Sequence, residues 1–301
     1  MTRRGLLLFA AMCVLWGIPY LFIRIAVGEL TPASLVFVRT GIAALILMPF
    51  VLARGGLREI GSRWVALIAF AAIEIAGPWF FLSSAEQRIS SALAGLLISA
   101  VPLVGVAIAT ALGNREHLEL GSLTGFVIGL AGVALIVGFD LRATDGVALV
   151  QMVLVVVGYA AAPAILARYL TGVPSVTVIG VALALCAVGY APVAALQWPH
   201  SVPSLAVIGS VAVLAVVCTA IAFLLFFRLI AEIGPVRATV ITYVNPAVAA
   251  ILGVAVLHEN LTLGMGFGFA LVLAGSVLAT RRRAPSAVSR RAPEAQPGKA
   301  L

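Results

Sequence analysis

Gly121-Ser-Leu-Thr-Gly-Phe-Val-Ile-Gly-Leu-Ala-Gly132 returns, with substitutions, as Gly264-Met-Gly-Phe-Gly-Phe-Ala-Leu-Val-Leu-Ala-Gly275. Glycines coincide at 121/264, 125/268 and 132/275, and both stretches end in Leu-Ala-Gly. The same offset of 143 residues brings Trp16 onto Tyr159 and Glu116 onto Glu259, and Pro102 meets Pro246 at an offset of 144. Gly and Ala abound in this chain, so no single match carries weight. The ordered set predicts an internal duplication.

The duplicated stretches are apolar, and so is nearly everything around them. Of 301 residues, 63% are hydrophobic and 10% charged, with a mean hydropathy of +1.19. Soluble domains carry roughly 25% charged residues, so this chain has too few charges to cover a globule in water. A helix crosses the hydrocarbon core with about 20 apolar residues. Ten such runs occur: Gly5–Val27, Ala33–Ala53, Trp64–Leu82, Ser91–Leu112, Gly121–Gly138, Val147–Ala167, Ser175–Leu196, Ser204–Leu229, Val236–Leu257 and Thr262–Thr280. Short separators rich in Pro, Gly and charge predict antiparallel neighbours. The first run follows Thr2-Arg3-Arg4 but is longer than a signal peptide's apolar region, and it is read as an uncleaved first helix.

Five spans per half is an odd number, so the second half enters the membrane upside down relative to the first. The expected architecture is all-α and integral to the membrane: ten transmembrane helices as two inverted five-helix repeats, residues 1–142 and 143–283. A Pro-, Ala- and Arg-rich tail, 284–301, is expected to be disordered. Arg3, Arg4, Arg54, Arg58, Arg63, Arg115, Arg168, Arg228, Arg237 and the six tail cations fall on one side, against Arg88 and Arg142 on the other. The positive-inside rule then places both termini in the cytoplasm.

The net charge of +8 gathers in the tail and in single residues between spans, not in a stripe interleaved with aromatics, which excludes a nucleic-acid partner. Cys13, Cys186 and Cys218 lie singly in apolar runs, as buried hydrophobes. The histidines, His117, His200 and His258, and the aspartates, Asp140 and Asp145, all fall in loops. No HExxH, GxSxG, P-loop or filter motif occurs, so an enzyme, a metal site and an ATP-driven pump are not expected.

With the duplication in view, the sequence resembles the drug/metabolite transporter superfamily, in its EamA family of ten-helix permeases. The resemblance lies in Trp16-Gly17, Phe37-Val38-Arg39, Pro102 with Gly113-Asn-Arg-Glu116, Asn245-Pro246 with His258-Glu259, and the two Gly-rich helices. It covers nearly the whole chain short of the tail. Tyr159-Ala160 stands where the second half should repeat Trp-Gly, so the cavity is expected to depart from strict symmetry. The resemblance implies export of amino acids, related metabolites or drugs.

Glu74 lies halfway along the third span. A charge at a helix centre costs about 2.5–3.5 kcal/mol on insertion scales, so it should face the bundle interior. There it takes up a proton, pairs with a substrate ammonium, or bonds a neighbouring helix as the neutral acid. Trp16, Tyr20, Trp79 and Tyr159 are candidate cavity aromatics, with packing as the alternative. Tyr243 and Asn245 put a hydroxyl and an amide at mid-membrane, binding substrate or bonding across helices. Arg39 either snorkels or meets a substrate carboxylate or Glu74. Pro78, Pro102 and Pro246 are candidate hinges. Glu116 and Glu259 follow helix ends and are read as caps.

The expected activity is secondary export of a small metabolite, an amino acid first, by alternating access between the halves at a mid-membrane site. Multidrug or nucleoside export is the alternative within the class; a channel or structural membrane subunit is the alternative outside it. No cofactor is implied. The expected partners are a small-molecule substrate and the lipid bilayer of a bacterial inner membrane, with the protein a monomer or weak homodimer.

Overall fold

A backbone N–H or C=O in hydrocarbon finds no water, so a chain this apolar spans a membrane as helices that satisfy their own hydrogen bonds. The computed structural model describes residues 2–53, 55–111, 120–138, 145–238 and 240–280. Among these are ten apolar spans and no strand: α1 Arg3–Ala26, α2 Pro32–Ala53, α3 Trp64–Ala85, α4 Ser91–Ala111, α5 Leu120–Gly138, α6 Gly146–Tyr169, α7 Ser175–Leu196, α8 Leu205–Ile233, α9 Ile241–Leu257 and α10 Leu263–Thr280. Their outer faces carry side chains such as Leu45, Val65, Val188, Leu205 and Leu263, each more than 70% exposed, an exterior suited to lipid and not to water. Glu116, Asn114, His117, Asp140, Arg142 and the tail from Arg281 lie outside the described residues.

The packing obeys the duplication. α5 lies against α10, α2 against α7 and α4 against α9, each helix paired with its own repeat mate. The remaining principal contacts come in matched pairs: α3 on α6 answers α8 on α1, α4 on α6 answers α9 on α1, and α3 on α7 answers α8 on α2. This is the contact pattern of two inverted repeats about a pseudo-two-fold axis.

The axis runs through the glycines that reveal the repeat. A Cβ on Gly132 would sit 2.6 Å from the Gly268 carbonyl oxygen, and one on Gly268 would sit 2.6 Å from that of Gly132. Gly125 and Gly275 meet in the same way, with a Cβ on Gly275 falling 2.5 Å from the Gly125 oxygen. The repeat operation exchanges these two contacts. Small residues let helix backbones approach closely where lipid offers no hydrophobic driving force.

Four spans are interrupted. Pro19 has no N–H and begins a new helical segment, so α1 is two pieces, Arg3–Leu15 and Pro19–Ala26, where the sequence predicts one run. α4 breaks at Ser99-Ala100, just before Pro102. α3 and α8 each contain a wide π segment, Ala71–Ala76 and Val213–Ile221. At the 143-residue offset these coincide, so both halves widen their third span at the same place. α9 differs from its expected start: a separate short helix, Pro235–Ala238, precedes it.

Gly132→Leu or Gly268→Leu forces the α5 and α10 backbones apart. Each should lower stability by about 1–3 kcal/mol, the usual cost of overpacking. Gly189→Ala, with no atom within 4 Å of the added carbon, should lose nothing. Thermal unfolding of purified protein in detergent checks this; equal melting temperatures for all three would refute the close crossing.

Candidate functional site

The interruptions surround a central cavity of about 470 Å³, within the range of small-molecule sites. Its exposed end reaches Ser175, at the first turn of α7, on the face that carries Arg3 and Thr280. We call this the terminal face. At the other end the last lining residues, Ile23 and Leu82, are buried under the opposite, distal face.

That distal face is tied shut. The Arg24 guanidinium donates to the Glu86 backbone carbonyl, joining α1 to α3. The Glu259 carboxylate accepts from the Ser91 N–H at 2.8 Å, the Ser91 hydroxyl at 3.0 Å and the Ala92 N–H at 2.9 Å, capping α4 from the α9–α10 connection. Gln151 Nε2 donates to Ser84 Oγ at 2.9 Å, and Glu29 accepts the Ser204 N–H at 2.7 Å. Arg88 and Asp145 form an exposed ion pair at 2.8 Å. Ser204 and Arg88 are the donors that hold the Glu29 and Asp145 carboxyls below their usual ranges.

Seven of the eight expected site residues line the one cavity: Trp16, Tyr20, Arg39, Glu74, Trp79, Tyr159 and Asn245. Tyr243 is not among them; its hydroxyl lies 3.4 Å from Thr280 Oγ1 on α10. Two residues along a helix is about 200° of rotation, so Tyr243 and Asn245 leave α9 on opposite sides.

Arg39 is 7% exposed and does not snorkel. Its Nε donates to Thr219 Oγ1 at 3.0 Å, and its guanidinium carbon stands 3.7 Å from the centre of the Trp79 ring. It thereby links α2 to both π-containing helices. Thr219 is itself held by a hydrogen bond to the Leu214 carbonyl at 2.8 Å. Among the described residues no carboxylate lies within 4 Å of Arg39, and the Arg39–Glu74 pair left open by the sequence is not formed. Glu74 occupies the π segment of α3, half-buried on the cavity wall, with no hydrogen bond or ion pair to a described residue.

The irregular backbone is repaired from neighbouring helices. Gly17 and Ile18 both donate to Val14, which leaves the Cys13 carbonyl without its helical donor. With its amide oriented so that the nitrogen faces these oxygens, Asn245 donates to the Cys13 carbonyl at 3.1 Å and to the Ile241 carbonyl at 2.9 Å, clamping α9 to the break in α1. In α3, Tyr190 Oη donates to the Ala76 carbonyl at 2.9 Å and the Cys186 thiol to that of Ala71 at 3.6 Å. Gly158 lets α6 pass against this segment, where a Cβ would fall 2.6 Å from the Ile73 oxygen. Pro78 and Pro102 follow the interruptions of α3 and α4, and Pro246 lies inside a continuous α9.

The sequence reading missed the aromatic wall of α8. Phe223, Phe226 and Phe227 all line the cavity. Trp16 packs on the first two, with ring centres 5.7 and 4.6 Å away. Their i, i+3, i+4 spacing marks one helical face, a signal visible in the sequence.

Two segments, residues 3–138 and 146–281, each match the EamA-like transporter family. The chain is 27% identical to the uncharacterized inner membrane transporter YedA of Escherichia coli K12, over 90% of this chain and 88% of that protein, and equally to YedA of E. coli O157:H7. A crystal structure of a protein superimposes with a TM-score of 0.66 at 23% identity, covering 93% of this chain and 97% of the other, a likeness of fold. With both inverted halves matched in full, the chain belongs to the EamA-like transporter family.

Proposed function

We propose that this transporter carries zwitterionic amino acids with apolar side chains, by alternating access, and exports them. The carrying observation is that Arg39 and Glu74 line one cavity, each without a counter-ion among the described residues. A buried cation without an anion is costly, and a substrate carboxylate offsets that cost. Arg39 spends its Nε on Thr219, leaving the two terminal nitrogens of its fork to meet a carboxylate. Glu74 answers the ammonium group. Phe223, Phe226, Phe227, Trp16 and Tyr159 then receive the side chain. A cationic drug or a nucleoside has no carboxylate for Arg39.

Charge supports the direction. Arg3, Arg4, Arg58, Arg63, Arg168, Arg228 and Arg237 lie toward the terminal face, which the positive-inside rule puts in the cytoplasm. The cavity is therefore loaded from inside. Rocking of the two halves about their pseudo-two-fold axis closes the terminal face and opens the distal one.

Counterflow in proteoliposomes tests this with phenylalanine, phenethylamine and phenylpropionate. Phenylalanine should exchange saturably and the two fragments poorly. Each charge-assisted contact contributes about 1.5–3 kcal/mol, so losing one should weaken binding roughly 10- to 100-fold. Equal transport of all three, or unsaturable current, refutes the reading.

The variants sharpen the assignment. Arg39→Gln should erase the preference for phenylalanine over phenethylamine while keeping that over phenylpropionate. Glu74→Gln should do the reverse. Apparent affinities from competition read this directly; wild-type selectivity in both variants removes these residues from the site.

A further inference from the structure

Glu86 ends α3 at the distal face, one turn beyond Leu82, the last residue of that helix to line the cavity. It is 0% exposed, and neither carboxyl oxygen has a hydrogen-bond partner among the described residues. The other described carboxylates of this face are all engaged: Glu29 by Ser204, Asp145 by Arg88 and Val147, and Glu259 by Ser91 and Ala92. Glu86 alone among them is sealed in without a donor.

The nearest cation does not serve it. Arg24 donates to the backbone carbonyl of Glu86, not to its carboxylate. The groups that face it are Tyr20 and Arg24 from α1, Arg39 from α2, and Glu259 from the α9–α10 connection. Arg39 turns its Nε to Thr219 and its guanidinium face to Trp79, and it forms no ion pair with Glu86. Glu259 is held by three donors, and its negative charge opposes a second one nearby. An ionised carboxylate buried without donor or cation is far costlier than the neutral acid.

We propose that Glu86 is a proton-binding site of the distal gate: it holds a proton while that face is closed and releases it to the distal solution when the face opens. This rests on the alternating-access reading above. Opening parts α3 from α1 and from the Glu259 connection and admits water, which stabilises the ionised form. The proton leaves to the distal solution and returns from it on closing, so nothing crosses the membrane. The site therefore sets the gate equilibrium and not the driving force. Acid on the distal side favours closure, by up to tenfold per pH unit for one proton.

Infrared spectroscopy tests the site without any substrate. In purified Glu74→Gln protein near neutral pH, the C=O stretch of a neutral carboxyl should be present, and the added Glu86→Gln should remove it. Glu86→Asp should shift the band instead, which decides the matter if the Gln variant does not fold. A missing band, or one untouched by both changes, overturns the proposal. Counterflow then tests the gate. Wild type should lose distal closure as distal pH rises, and Glu86→Gln, a permanent mimic of the neutral acid, should show no such dependence. An unchanged pH profile in that variant, with the band assigned to Glu86, overturns the gating role. Absence of amino-acid exchange at every pH, with the band intact, counts against the substrate reading alone.

Discussion

Each backbone amide and carbonyl inside the bilayer must find a partner within the protein, and that constraint decides where this chain is permitted to be irregular. The departures from regular helix in α1, α3, α4 and α8 lie beside the central cavity, and side chains, most of them from neighbouring helices, donate to several of the carbonyls involved. Asn245 serves Cys13, Tyr190 serves Ala76, Cys186 serves Ala71 and Thr219 serves Leu214. Non-helical backbone at membrane depth is tolerated where it is buried in protein or lines a cavity. The same side chains that repair the backbone thus shape the site. Asn245 illustrates it: an amide in hydrocarbon needs partners, and it finds them by joining α9 to the break in α1.

The parts of this architecture governed by length and by close packing were legible in the sequence. Hydrocarbon thickness sets the spans, and glycine alone fits where α5 crosses α10, so Gly125, Gly132, Gly268 and Gly275 announce both the duplication and its axis. Pro78 marks a place where the α3 ladder must fail. The matching π segment of α8 has no proline, only Thr219 reaching back to the Leu214 carbonyl, and nothing in its apolar run betrays it. Arg39 was undecidable for a different reason. Snorkelling and burial are both open to a long cation, and the choice rests on Thr219 and Trp79, far away in sequence. The separation of Tyr243 from Asn245 needed only helical geometry.

The two halves divide the work of the cavity unequally. Arg39 and Glu74 both belong to the first half, and their repeat positions, Ala182 and Val217, carry no charge. The second half supplies Tyr159 and the three phenylalanines of α8. Duplication gave both halves the same backbone, widened third span included, while the side chains on it diverged: both halves contribute aromatics, but the two charged groups stand on the first half alone. A symmetric cavity would present each end of a substrate with the same surroundings. This one carries its charges on one half, which is the asymmetry an amphipathic substrate of the proposed kind would use.

The halves also differ in conformation, as the proposed alternating access requires. α1 and α4 are broken at mid-membrane, whereas their mates α6 and α9 run unbroken through Pro163 and Pro246. Both of those prolines remove a helical hydrogen bond beside the cavity. One sequence pattern therefore supports a bent and a straight version of the same element. With the distal face closed, the first half holds the bent pair. In the alternating access proposed above, exchanging the two conformations between halves would close the terminal face and open the distal one, with the glycine crossing of α5 and α10 as the fixed point. The proline positions need only differ by a few kcal/mol between bent and straight for a bound substrate to shift the balance.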